Sequence, residues 1–178
     1  MPIAASDIKR RLSVKTGSAG NSTAQGDPNA SLGKYISTTD ITDATLHNLF
    51  DIVSATENEA LDVEYRCIFV YNSHSTLTWG SAVCWISAET ASGASIAIGV
   101  DTTAASAVGS ASAQALEVAN ESTAPVGVTF SSPTTQGTGI SIGSLTAGQC
   151  RAIWIRRTCA NTGAVDTDGV TLSFSGTT

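Results

Sequence analysis

The stretch from Tyr65 to Ser87, YRCIFVYNSHSTLTWGSAVCWIS, decides the architecture. Two runs rich in β-branched and aromatic residues flank a polar break from Asn72 to Thr76, which is how a half-buried β-hairpin reads. In the first run Tyr65, Cys67, Phe69 and Tyr71 fall on one face, and Arg66, Ile68 and Val70 on the other. Working outward, the same alternation appears in Ser95 to Val100, Val126 to Ser131, Gly139 to Gly143, Gln149 to Arg157 and Val170 to Ser175. In the last of these Val170, Leu172 and Phe174 point one way, and Thr171, Ser173 and Ser175 the other. With Ile3 to Val14 as a possible edge strand, the chain carries about seven or eight strands joined by turn-rich connectors. That pattern predicts a mainly β chain, an antiparallel β-sandwich of jelly-roll or immunoglobulin-like kind.

The segment TDATLHNLFDIV, from Thr42 to Val53, places Leu46, Leu49, Phe50 and Val53 at helical spacing, with Thr42 or Asp43 suited to capping. It is the one short helix expected. Residues 15 to 34 are dense in Gly, Ser, Asn, Asp and Pro and read as an arm or long loop. The expected division is an extended N-terminal arm over residues 1–38 and one sandwich domain over 39–178. Residues 101 to 124 read as a long excursion with a short helical turn around Ala113 to Ala119.

With 178 residues the chain is long enough to bury a core without disulfides or a metal. Only 13% of residues are charged, and they are unevenly placed. Residues 1–26 carry four basic groups and one acid, net +3; residues 27–178 carry five basic groups and fourteen acids, net −9, giving −6 in all. Seven acids lie between Asp40 and Glu64 with no basic residue among them. Charge this segregated can steer an arm toward an acidic surface. No Lys or Arg occurs from 67 to 150, so phosphate binding by the body, and hence nucleic acid, is not expected. No run approaches the length of a membrane span, and Met1 to Asp7 lacks a signal-peptide core; assembly in a cytoplasm is the expectation. Cys67, Cys84, Cys150 and Cys159 are then reduced thiols. Cys67 and Cys84 sit on the two arms of the hairpin and could approach each other; buried, unpaired residues are the favoured reading.

Residues for chemistry are sparse. There is no G-x-S-x-G, P-loop, H-E-x-x-H or dinucleotide fingerprint. His47 lies on the predicted helix and His74 in the hairpin tip, where solvation is the default. Asp166-Thr167-Asp168-Gly169 resembles part of a calcium loop but lacks the other ligand positions, and a tight turn explains it better. Trp85 and Trp154 lie in apolar strands as core residues, while Trp79, beside a Gly80 that marks a bulge, is the tryptophan expected at the surface. Neither an enzyme nor a cofactor is expected. The interface candidates are the basic residues Lys9, Arg10, Arg11 and Lys15 of the arm, and Arg151, Arg156 and Arg157 on the WIRR strand. Arginine flanking an apolar strand suits a contact surface, or else an edge strand guarded by charge.

Several segments together resemble a family of tailed-bacteriophage virion structural proteins. They are Ser6 to Lys9, Asp27 to Gly33 (DPNASLG), Ile41 to Asp51 with its NLFD, Glu64 to Cys67 (EYRC), Trp85 to Ser87, and Ala147 to Gln149 leading into Ala152 to Arg157. The resemblance implies a non-enzymatic capsid cement or decoration protein on the virion exterior. Its partners would be the major capsid protein and other copies of itself, as a trimer or dimer. The Lys15 to Gln25 insert departs from the family pattern. Binding is expected through residues 1–34 and the Arg151 to Arg157 strand, with residues 2–26 dispensable for folding. The alternative is a carbohydrate-binding adhesin module of a tail or baseplate, which would need exposed aromatic residues.

Overall fold

The computed structural model describes residues 2–18, 23–109, 112–163, 165 and 167–178. Its strands are β1 (Ile8–Val14), β2 (Tyr35–Asp40), β3 (Val63–Asn72), β4 (Trp79–Glu89), β5 (Ser95–Val100), β6 (Ser106–Ala107), β7 (Ile140–Leu145), β8 (Gln149–Thr158) and β9 (Val170–Thr177). They form an antiparallel sandwich. The large sheet runs β2-β1-β3-β8-β5, with β6 also pairing to β8, and the small sheet runs β7-β4-β9.

The alternation read from β3 holds, and both of its faces are buried. Ile68 and Val70 join Ile153, Ile155 and Ile98 in a core against the small sheet, where Ile86, Ile142 and Leu145 meet them. Cys67 and Phe69 face the other way, into a second core with Trp154, Ile36 and Val118. Residues 112–130 cover that outer face, so the large sheet is the middle layer of three. The excursion is extended where a helical turn was expected: Glu117 bridges to Gly33, and Lys34 N donates to Leu116 O at 3.1 Å. Val126 to Ser131 is no strand either; Ser131 alone bridges to Ile98, and Val126 stands exposed.

The expected hairpin is instead an arch. β3 pairs with β1 and β8, β4 pairs with β7 and β9, and the Asn72 to Leu77 connection carries the chain from one sheet to the other. Asn72 is fully buried and holds the arch, its amide donating to the carbonyls of Leu77 and Leu145, each at 2.9 Å. His74, expected in solvent, accepts from Thr76 N and Leu77 N through Nδ1 at 3.1 and 3.0 Å. Alternation specifies a strand's two faces but not its hydrogen-bonding partner, which is why the pairing was misread.

The expected helix from Thr42 to Val53 does not form. Ala44 and His47 adopt left-handed backbone angles, φ 55° and 57°, which interrupt any helix. The segment lies instead across the end of the sandwich, with Leu49 in the core, Phe50 packed on it and Leu46 exposed. The one α-helix among the described residues, α1 (Ala55–Ala60), follows it and buries none of its residues. A capping box starts it: Ser54 Oγ accepts from Glu57 N, and Glu57 Oε2 accepts from Ser54 N at 2.6 Å.

The first strand is not an edge and not a free arm. β1 is bonded to β2 on one side and to β3 on the other, with Ile8 and Leu12 in the core. Residues 2–26 therefore include an interior strand of the large sheet, and removing them would expose the β3 ladder. The loop that follows is fastened from beneath by two buried serines. Ser31 Oγ donates to Cys67 O at 2.6 Å, and Ser13 Oγ accepts from Gly33 N at 2.7 Å. Gly33 has φ 91°, and a Cβ there would collide with Leu116 O. Only glycine fits.

Candidate functional site

The basic residues of the first strand face acids of the same chain. Arg11 Nε donates to Asp40 Oδ1 at 2.8 Å, Lys9 lies 3.8 Å from the other oxygen of Asp40, and Arg10 pairs with Asp43 at 2.9 Å. Arg11 also lies over the Tyr71 ring, and Lys15 donates to Ala119 O at 3.1 Å. The segregation of charge in the sequence is resolved within one molecule. It ties β1 to the end of β2 and the segment beyond.

Arg151, Arg156 and Arg157 sit on β8, which is bonded on both sides by β3 and β5, so the edge-guarding role does not apply. Their heads diverge. Arg151 donates to Ile142 O at 3.2 Å, and Arg156 lies 5.3 Å from the centroid of the Phe130 ring. Arg157 is 7% exposed and turns inward. It is opposite Glu64 in the ladder; its Nε donates to Glu64 Oε2 at 2.6 Å, and its head also bonds the carbonyl and carboxylate of Asp51 at 2.6 and 3.2 Å.

A second arginine, which the sequence reading passed over as a functional group, completes the cluster. Arg66 is fully buried; its Nη2 donates to Asn29 Oδ1 at 3.0 Å and to Glu121 Oε2 at 2.6 Å. Asn29 in turn donates to Asp51 Oδ2 at 3.3 Å. The Phe50 ring has the Arg157 and Arg66 guanidinium carbons 4.7 and 5.1 Å from its centroid. Burial pushes the Glu64 carboxyl up, against the opposing pull of Arg157. Four of the motifs that carried the family resemblance thus meet in space: DPNASLG through Asn29, NLFD through Phe50 and Asp51, EYRC through Glu64 and Arg66, and WIRR through Arg157. They form a clasp that closes one end of the sandwich. In it the Arg66 guanidinium is matched by Glu121, and that of Arg157 by Glu64 and Asp51.

The remaining groups follow the same logic. All four cysteines are buried and unpaired. Burial pushes the thiols of Cys84 and Cys150 up to about 12, and that of Cys67 well above its ordinary value. Cys67 and Cys84 belong to different cores on opposite faces of the large sheet, so the hairpin geometry that would have brought them together is absent. Trp79, expected at the surface, is 5% exposed; the bulge at Gly80 is present, but the indole is in the core. Trp154 is fully buried, and Trp85 is half-buried on the small sheet. Asp166 of the proposed turn lies outside the described residues; Asp168 accepts from Ala94 N at 2.7 Å. No group of three or more His, Cys, Asp and Glu among the described residues is placed to hold a metal, and no helix among them is long and apolar enough to cross a membrane.

Comparison with protein-family models, with curated proteins and with solved structures finds no match to this chain.

Proposed function

We propose that the protein is a non-enzymatic structural component of a tailed-phage virion, a cement or decoration protein that binds the lattice of the major capsid protein from outside. The observation that carries this reading is the opposite placement of charged and apolar side chains. The arginines Arg10, Arg11, Arg66 and Arg157 are engaged with acids of the same chain, whereas Leu46, Ile52, Leu61 and Val126 stand 64, 74, 52 and 84% exposed. Three of those four lie within sixteen residues, Leu46 and Ile52 on the segment that runs into α1 and Leu61 at the C-terminal cap of that helix. Apolar side chains held out on a braced scaffold serve contact, and the family resemblance supplies the partner. The interface on this reading is centred on residues 46–61 rather than on the arm and the WIRR strand.

The test adds purified protein to shells assembled without it and measures bound copies per shell. Saturable binding is expected, with the Leu46→Asp, Ile52→Asp double variant binding at least about tenfold more weakly while keeping its unfolding midpoint, since each lost apolar contact is worth about 1 kcal/mol or more. Absence of the protein from purified particles by mass spectrometry would refute the proposal.

A further inference from the structure

A sheet edge presents unpaired N–H and C=O groups and is ordinarily covered or charged. Three edges of this sandwich are met by other parts of the chain. Along β2, Thr38 N donates to Thr23 O and Ile36 N to Gln114 Oε1, each at 3.0 Å. Along β5, Ile98 and Ser131 exchange bonds of 2.8 and 3.0 Å, and at β7 the Ile142 carbonyl receives Arg151. β9 is different. Among the described residues it pairs with β4 alone; it is eight residues long and contains no charged residue and no proline.

Its open groups can be assigned. Ile86 N donates to Pro133 O on the β7 side of β4, so the Ile86–Leu172 pair shares no ladder bond and Leu172 presents its N–H and C=O outward. The two-residue repeat places those of Phe174 there too. Beside this edge runs an open groove whose wall combines Ile3, Ile8, Trp79, Leu172 and Phe174 with Arg10 and the hydroxyl residues Ser173, Ser175 and Thr178. Trp79 is 5% exposed, its ring forming part of the groove wall. Gly176 admits the ring, since a Cβ there would strike Nε1.

We propose that β9 receives an extended segment of a partner protein as a fourth strand of the small sheet. The chemistry of the occupant follows from the groove. Open ladder groups require an extended backbone, and the apolar residues of the wall, Ile3, Ile8, Leu172 and Phe174, select an apolar side chain at every second position. Charge complementarity requires a neutral segment: β9 is uncharged, and the neighbouring cations Lys9 and Arg10 are already matched by Asp40 and Asp43. A second copy pairing β9 to β9 does not fit. The groove is lined by Ile8 and Arg10 of β1, so the large sheet extends past β9, and the β1 and β2 of the other molecule would enter the same space. The inference goes beyond the virion reading and stands whether or not the partner is a capsid subunit.

Amide hydrogen exchange on the full chain tests it, with a panel of capped, uncharged eight-residue peptides bearing Val, Ile or Leu at alternate positions. Without peptide, the Leu172 and Phe174 amides exchange faster than those of Thr171 and Ser173; with peptide they become protected. N-methylation of alternate peptide amides weakens binding about tenfold, as loss of two hydrogen bonds should. Ala4→Lys, on the groove wall and off the ladder, weakens it as well. The proposal is overturned if no peptide protects those two amides, if the N-methylated peptide binds equally well, or if protection appears without peptide and grows with protein concentration, which would mean a second copy.

Discussion

Trp154 Nε1 donates to Asp101 Oδ2 at 2.6 Å, in a place where neither residue reaches water. The same oxygen accepts from Leu116 N at 3.0 Å, and Oδ1 accepts from Thr103 N at 2.7 Å. One carboxylate at the end of β5 therefore holds the start of the excursion, its middle, and the central tryptophan of the sheet beneath. The adhesion of residues 112–130 to the sheet depends on such fixed polar points as well as on Ala115, Val118 and the partly buried Leu116, Val128 and Phe130.

Replacing Asp101 by alanine should cost about 3 kcal/mol or more, because it leaves three N–H groups without their acceptor, that of the fully buried Trp154 indole among them. Urea unfolding measures the loss. Native-state exchange should place it in the cover: the Leu116 and Val118 amides lose protection while the Ile142 amide, across the sandwich, keeps it. An equal loss at all three positions would contradict the stapling role.

The clasp makes a different demand. Arg157→Ala leaves Glu64 as a buried carboxylate without its counter-ion, a change that costs about 3 to 5 kcal/mol, whereas Glu64→Leu with Arg157→Met removes both charges and should recover most of that loss. A double-mutant cycle on unfolding free energies checks the pair, and additive losses would show that the two residues are not coupled.

Much of the fold is legible in the chain, and what is not has identifiable causes. β8 and β9 announce themselves by alternation over Gln149 to Arg157 and Val170 to Ser175, and the observed strands agree to within two residues. β2 was hidden because Tyr35–Asp40 is short, half polar and adjacent to a loop-like sequence. The apolar stripe of Leu46, Leu49, Phe50 and Val53 suggested a helix, but two left-handed residues fold it into a plug, and the real helix beside it has no stripe and is marked only by the Ser54 to Glu57 capping box. The clasp was the least visible feature. Glu64 and Arg157 are 93 residues apart, and nothing in either neighbourhood names the other.

The thiols offer a test that separates burial from pairing. With Cys84 and Cys150 held near 12 and burial holding Cys67 well above its ordinary value, almost no thiolate exists at pH 8, and none of these three should react with a chromogenic disulfide reagent in the native chain. All four should react after unfolding in urea. Fewer than four released equivalents would mean a disulfide, against the placement of Cys67 and Cys84 in separate cores.

The capping box at Ser54 gives a pH dependence with a definite sign. The Ser54 backbone N–H and, to a lesser degree, its hydroxyl hold the Glu57 carboxyl below its ordinary value of 4.5. A carboxyl whose folded value is lowered contributes stability that is present above the ordinary value and lost as pH falls through the folded one. Helix α1 should therefore loosen in acid below about pH 4.5, seen as faster exchange of the Asn58 amide, which donates to Ser54 O at 3.0 Å. Glu57→Gln should remove that dependence. Ser54→Ala separates the two bonds: it deletes the acceptor for Glu57 N and weakens the cap by about 1 kcal/mol, yet it keeps the backbone donor that accounts for most of the lowering. Carbon-detected titration of Glu57 in this variant should still give a midpoint below the ordinary value; a return to it would mean that the hydroxyl, and not the backbone, holds the carboxylate.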